Sequence, residues 1–171
     1  MALTESVGAL EAAFARIAGT RMAGLPLNNP VLRVAGVGFR ALDERHQVGV
    51  LITPWAINLV LLGERSSHDL RLTADRRQTW DFPSGRYEFM GGDEPECGAY
   101  QFCSLFSPAF EFPDQDSAVT TAIQVMAELY VETQVCAGEQ GEAARLSGRP
   151  LLQVPTSRRA FLQGVLGARK A

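Results

Sequence analysis

At 171 residues, with 46% apolar and 20% charged side chains and a formal net charge of −3, the chain has the composition of one ordinary globular domain. The charge is unevenly placed: residues 143–171 carry six basic side chains and no acid, whereas residues 1–142 carry nineteen acids against ten bases. An acidic body excludes nucleic acid as the expected partner, because a phosphate-binding surface needs the opposite sign, and it suits a cationic partner instead.

Residues 5–22 are predicted to form an amphipathic helix, with Val7, Leu10, Phe14 and Ile17 at three- and four-residue steps and Thr4 as its cap. GLPLNNP at 24–30 reads as a turn and 31–41 as a strand. VGVLIT and INLVLLG follow as two strands split by Pro54-Trp55, a sharp feature between pairing strands. They are too interrupted to cross a membrane, which takes ~20 apolar residues. TADRRQ at 73–78 reads as a loop. GRYEFM and AYQFCSLF alternate polar and apolar residues as half-buried antiparallel strands do, and Gly91-Gly92-Asp93-Glu94-Pro95 between them reads as an acidic hairpin loop. SPAFEFPDQD closes the sheet, and residues 117–134 form a second helix begun by Asp114 or Asp116.

Helix, antiparallel strands and helix predict an α+β fold, a two-layer sandwich whose N- and C-terminal helices pack on one face of an antiparallel sheet. The domain is expected to span residues 1–137. Residues 138–171, dominated by Gly, Ser, Pro and Arg, are expected to be a flexible basic tail. βαβ alternation is missing, which disfavours a parallel nucleotide-binding sheet. The N-terminal MALTESVGALEAAF lacks a positive start, so no secretory signal is expected and a cytoplasmic location follows.

Cys97, Cys103 and Cys136 form no CxxC pair, and His46 and His68 are isolated, so no disulfide framework, metal or cofactor is expected. The phosphate-loop, dinucleotide and nucleophile-elbow patterns are absent. Gly36-Val37-Gly38 lies inside a strand pattern and marks close packing. Cys103, among Phe102, Leu105 and Phe106, reads as a core thiol, and Cys97 beside the acidic loop has its thiolate disfavoured. Asp93 and Glu94 read as a solvated turn or a docking surface. No enzyme is expected.

ITPW at 52–55, PSGRYEF at 83–89, YQFCSLFSP at 100–108 and SRRAFLQG at 157–164 resemble, in order and spacing, the HybE family (also called HupJ or HoxT) of nickel–iron hydrogenase assembly chaperones. The resemblance runs from the PLNNP region to the tail. It implies a cytoplasmic maturation chaperone that binds the hydrogenase small-subunit precursor before export through the twin-arginine pathway. The large subunit and other maturation proteins are further implied partners. Some relatives carry a rubredoxin unit; this chain lacks the paired CxxC motifs of such a unit, so iron binding is not expected.

TSRRAFLQG looks like a twin-arginine export signal, two arginines before an apolar pair, yet seven residues follow it where an export signal needs ~7–15 apolar residues and a cleavage site. The implied client begins with a signal of the same look. The tail is therefore expected to mimic that signal, with Arg158, Arg159, Phe161 and Leu162 filling the client's site, within one chain or exchanged across a homodimer. Glu88, Asp93, Glu94 and Glu96 are the expected receivers of guanidinium groups, which fork onto carboxylates. Trp55 and Phe102 are the expected apolar contacts, Trp55 being equally readable as a packed turn residue. A second reading is a redox-active assembly factor that uses Cys97 or Cys103 to protect a hydrogenase iron–sulfur or metal centre from oxygen.

Overall fold

Every side chain of the strand Ile57–Leu62 is buried, so this strand has to be covered on both faces. In the computed structural model, which describes residues 3–64 and 68–132, it lies inside a six-stranded antiparallel sheet. The elements are α1 (Leu3–Gly19), β1 (Ala35–Ala41), β2 (Gln47–Ile52), β3 (Ile57–Leu62), β4 (Arg77–Phe82), β5 (Gly85–Glu94), β6 (Gly98–Phe106) and α2 (Gln115–Leu129), and the strands run in the order β1-β2-β3-β6-β5-β4.

The α+β class, the antiparallel sheet and the two terminal helices are as expected. Their layering differs. Val48, Val50 and Ile52 of β2 with Ile57, Leu59 and Leu61 of β3 pack under Ala118, Ala122, Val125 and Met126 of α2. Leu51, Val60 and Leu62, which point the other way, pack under Leu10, Ala13, Phe14 and Ile17 of α1. The helices therefore cover opposite faces, and the centre of the molecule has three layers. The physical reason is visible in VGVLI and INLVLL: apart from Asn58 they are apolar on both alternate sets of positions, the pattern of strands buried on both sides.

Two further differences concern the acidic half of the sheet. Arg77 and Gln78 open β4, a strand where TADRRQ suggested loop; it pairs with β5 from Arg77 opposite Met90 to Phe82 opposite Gly85. Buried Gln101 of β6 anchors it by accepting from Trp80 Nε1 (2.8 Å) and donating to Gln78 Oε1 (2.7 Å) and to the Leu70 carbonyl (3.1 Å). Gly91, Gly92, Asp93 and Glu94 are not a loop but the end of β5, paired with β6 to Glu94 opposite Gly98. Both glycines are there for close approach. A Cβ on Gly91 would lie 2.8 Å from the Leu72 carbonyl oxygen, and one on Gly92 would lie 2.3 Å from the Tyr100 ring.

Smaller boundaries also shift. β1 begins at Ala35 and α1 contains Thr4, so Thr4 is not its cap. Asp114 caps α2 as expected, accepting from Ser117 N–H at 2.7 Å, a contact worth ~1 kcal/mol. Thr53-Pro54-Trp55 forms the expected turn: Thr53 N–H and hydroxyl both donate to the Ala56 carbonyl (2.9 and 2.7 Å), and Ala56 N–H donates back to Thr53 Oγ1 (3.0 Å). Close packing explains Gly36 and Gly38, whose absent Cβ atoms would meet Val7 of α1 at 2.7 Å and Met126 of α2 at 2.9 Å. The expected boundary at 137 and the tail lie outside the described residues.

Candidate binding surface

Extending β5 to Glu94 sets its carboxylate under the C-terminal end of α1. Arg16 Nη2 donates to Glu94 Oε2 at 2.7 Å and Arg21 Nη2 to Glu94 Oε1 at 2.5 Å. Arg16 also forks onto Glu96, Nε to Oε1 at 2.5 Å and Nη2 to Oε2 at 3.1 Å. The arrangement is polarised: the Glu94 side chain is 9% exposed, whereas those of Arg16 and Arg21 are 40% and 60% exposed. The acid forms the floor and the two guanidiniums come in from the water side. Hydrogen bonds from Arg16 hold the Glu96 carboxyl below the ordinary glutamate range. Bonds to Glu96 and Glu94 raise the Arg16 pKa in return.

A row of rings adjoins this seat. Trp55 stacks on Phe14 (centroids 6.3 Å apart, planes at 20°), Phe14 meets Tyr100 edge-on at 5.8 Å, and Tyr100 contacts Phe102 at 6.1 Å. Trp55 and Phe102 are half-buried while Phe14 and Tyr100 are buried. Burial first, and then the nearby Glu94 charge, raise the Tyr100 phenol above its ordinary pKa.

At the opposite end of the sheet, three loops meet on one buried side chain. Asn29 donates from its backbone to the Pro54 carbonyl (2.7 Å) and from Nδ2 to the carbonyls of Ala109 and Phe112 (both 2.9 Å); its Oδ1 accepts from Val31 N–H (3.2 Å). PLNNP, TPW and the segment after β6 are thereby joined. Large apolar residues are exposed on these joined loops: Leu25, Leu27, Val31 and Phe110.

The expected receivers separate into two groups. Glu94 and Glu96 come together, already bridged by Arg16. Asp93 points to the other face of β5 and pairs with Arg71 at 3.2 Å, and Glu88 is exposed on β5 opposite Thr79. Among the described residues, ring contacts connect Trp55 to Phe102 through Phe14 and Tyr100. Arg158, Arg159, Phe161 and Leu162 lie outside the described residues. Sequence reasoning missed Arg16 and Arg21, whose partners lie more than seventy residues away. It also read Asn29 only as turn punctuation. Two asparagines between prolines in an apolar loop were the available signal.

The two thiols among the described residues are poorly placed for redox work. Cys103 is fully buried in the core on the α2 side. Cys97 is buried beside the acids; burial, then the Glu94 charge, push its thiol up to about 11. Among the described residues no group of three or more His, Cys, Asp or Glu side chains is arranged to hold a metal ion. No helix among them is long and apolar enough to cross a membrane.

Residues 5–164 match the family model described as NiFe-hydrogenase assembly, chaperone, HybE. Protein HoxT of Cupriavidus necator is 45% identical over 131 residues, covering 68% of this chain and 71% of that protein. Hydrogenase expression/formation protein HupJ of Bradyrhizobium diazoefficiens is 35% identical over 161 residues, covering 94% and 89% respectively. A probable rubredoxin HupJ of Rhodobacter capsulatus is 37% identical over 124 residues, which cover 72% of this chain and 44% of that longer protein. No solved structure shows significant similarity. The family match spans nearly the whole chain and agrees with the relatives, so this chain belongs to the HybE family of nickel–iron hydrogenase assembly chaperones.

Proposed function

We propose that the chain is a non-enzymatic, cytoplasmic chaperone that binds the hydrogenase small-subunit precursor at its twin-arginine signal region and holds it until assembly is complete. The large subunit and other maturation proteins would join at that stage. The observation that carries this reading is the Glu94–Glu96 seat, a buried carboxylate already holding two guanidiniums beside a row of aromatic rings. Arg16 and Arg21 stand in for the client's arginine pair. Because they are largely on the water side, an incoming pair can displace them without emptying the carboxylates of charge partners. Trp55 and Phe102 would receive the apolar residues that follow, and Glu88 and Asp93 would extend the acidic rim. In this reading Arg158, Arg159, Phe161 and Leu162 compete for the same seat, within one chain or across two.

The test is titration of the full chain with a labelled peptide of sequence SRRAFL and with its twin in which both arginines are lysine. The arginine peptide should bind at least about tenfold more tightly, because lysine cannot fork onto a carboxylate. Glu94→Gln with Glu96→Gln should abolish that preference, and Arg158→Ala with Arg159→Ala should strengthen peptide binding. Equal affinity for the two peptides, or a preference that survives loss of both glutamates, would sink the reading. The redox alternative finds no support in the raised thiol of Cys97 or the fully buried Cys103.

A further inference from the structure

We infer that the loop end organised by Asn29 is a second docking surface, which takes the apolar stretch that follows the arginines in the same partner segment. The inference rests on the proposed function and extends it from the arginine seat to the other end of the sheet. Leu25, Leu27, Val31 and Phe110 are four of the six large apolar residues exposed among the described residues, and Phe110 is 54% exposed. They are not the mobile tips of separate loops. Asn29 ties the loops that carry them together through four hydrogen bonds, to Pro54, Ala109, Phe112 and Val31, and Pro26, Pro30, Pro54, Pro108 and Pro113 restrict the chain around it. A rigid apolar surface loses little conformational freedom when it is covered, which favours binding over incidental exposure.

Two observations point to the occupant. The flank is net acidic: residues 107–116 include Glu111, Asp114 and Asp116, against exposed Arg33, whose backbone is bonded to Gln115 of this segment. It suits a segment that is apolar and basic rather than apolar and acidic. The surface is also linked to the arginine seat through packed side chains. Asn29 bonds to Pro54, Trp55 follows Pro54 and stacks on Phe14, and Phe14 meets Tyr100 next to Glu94. The two ends lie at opposite ends of β6, Gly98–Phe106. At ~3.3 Å per residue that is roughly 25 Å, a distance that about eight extended residues cover. The apolar stretch of an export signal, ~7–15 residues, is long enough to reach.

The experiment uses the full chain and three labelled probes: SRRAFL, SRRAFL extended by eight alternating Leu and Ala residues, and the Leu–Ala octamer with one added lysine for solubility. The extended probe should bind about tenfold more tightly than the short one. Phe110→Glu should remove that gain and leave the short probe unchanged, with Val31→Glu as a second variant. Equal affinities, or a gain that survives both substitutions, would overturn the inference. So would a change of oligomeric state caused by Phe110→Glu in sedimentation, since the surface would then belong to a second copy. If neither arginine probe binds, the proposed function fails by itself. The octamer then decides the surface: binding lost in Phe110→Glu supports it, and no binding overturns it.

Discussion

The Arg40 guanidinium lies over the Tyr130 ring, 3.7 Å from its centroid, and its Nη2 donates to the Met126 carbonyl at 2.5 Å. Arg40 belongs to edge strand β1, and Phe82 of the opposite edge strand β4 meets the same ring at 6.3 Å. The C-terminal end of α2 is thus held from both edges of the sheet. No basic residue lies in its own last turn, so the cation that complements its exposed carbonyls is supplied by β1. Arg40→Ala removes a cation–π contact worth ~0.5–2 kcal/mol and a charged hydrogen bond to the helix end. The expected loss is about 1–2 kcal/mol in urea unfolding, with Arg40→Lys intermediate. The Tyr130 hydroxyl is buried without a partner among the described residues. Tyr130→Phe should therefore be neutral or stabilising by up to ~1 kcal/mol, the outcome expected when a buried donor makes no bond.

Two glycines should respond to alanine in opposite directions. Gly8 lies inside α1, where an added Cβ meets nothing within 4 Å. Gly8→Ala should raise stability by ~0.5–1 kcal/mol through helix propensity. Gly91→Ala would push a Cβ to 2.7 Å from Leu72 Cβ and 2.8 Å from its carbonyl oxygen, and backbone cannot swing aside as a flexible side chain can. A loss of ~1–3 kcal/mol is expected. Equal urea midpoints for the two variants would refute the packing account of β5.

That contrast also marks how far the sequence could be read. Helix periodicity and strand alternation made α1, α2, β5 and β6 legible, and Pro54 marked the β2–β3 turn. Gly91-Gly92 misled because glycine serves both turns and close approach, and only the positions of Leu72 and Tyr100, fixed by tertiary structure, distinguish the two. β4 was hidden because its outward side chains are charged or polar and its anchor, Gln101, is a polar residue in the core. The opposite-face packing of the helices was encoded in β2 and β3, where apolar residues fill both alternate sets of positions, a signal outweighed by the alternation in the later strands. At the candidate site the acids were visible, and their ownership by Arg16 and Arg21 was not. Long-range ion pairs leave no local pattern.

The Arg16–Glu96 contact should show itself in the acid limb of the stability curve. The Glu96 carboxyl sits below its ordinary range, first because of the hydrogen bond from Arg16. A depressed folded-state pKa adds stability that is complete above the unfolded value, near 4.3 for glutamate, and is lost as the pH falls below it through the folded value. The difference in urea midpoint between wild type and Glu96→Gln should be constant from neutral pH down to about 5 and close below about 4. Because the pair is partly exposed, the difference should also shrink in about 1 M salt. A gap that persists at low pH would mean that Glu96 acts through packing and not through charge.

Cys97 bears on the choice between a binding chaperone and a redox factor. Its thiol is pushed up to about 11, by burial first and by Glu94 second. An ordinary thiol titrates near 9, so at pH 7.5 the thiolate fraction at Cys97 is roughly a hundredfold smaller. Alkylation by iodoacetamide, followed by mass spectrometry, should be at least about tenfold slower than that of an exposed cysteine in a blocked peptide, because the higher nucleophilicity of a high-pKa thiolate offsets only part of its scarcity, and slower still if burial limits access. The rate should climb steeply as the pH approaches 11. Mild peroxide should leave no sulfenic acid at Cys97 or at the fully buried Cys103. Glu94→Gln should speed Cys97 labelling by removing the charge that opposes its thiolate, a response that a merely inaccessible thiol would not give. Rapid trapping of a sulfenic acid at either cysteine in the wild-type chain would restore the redox reading and count against a purely binding role.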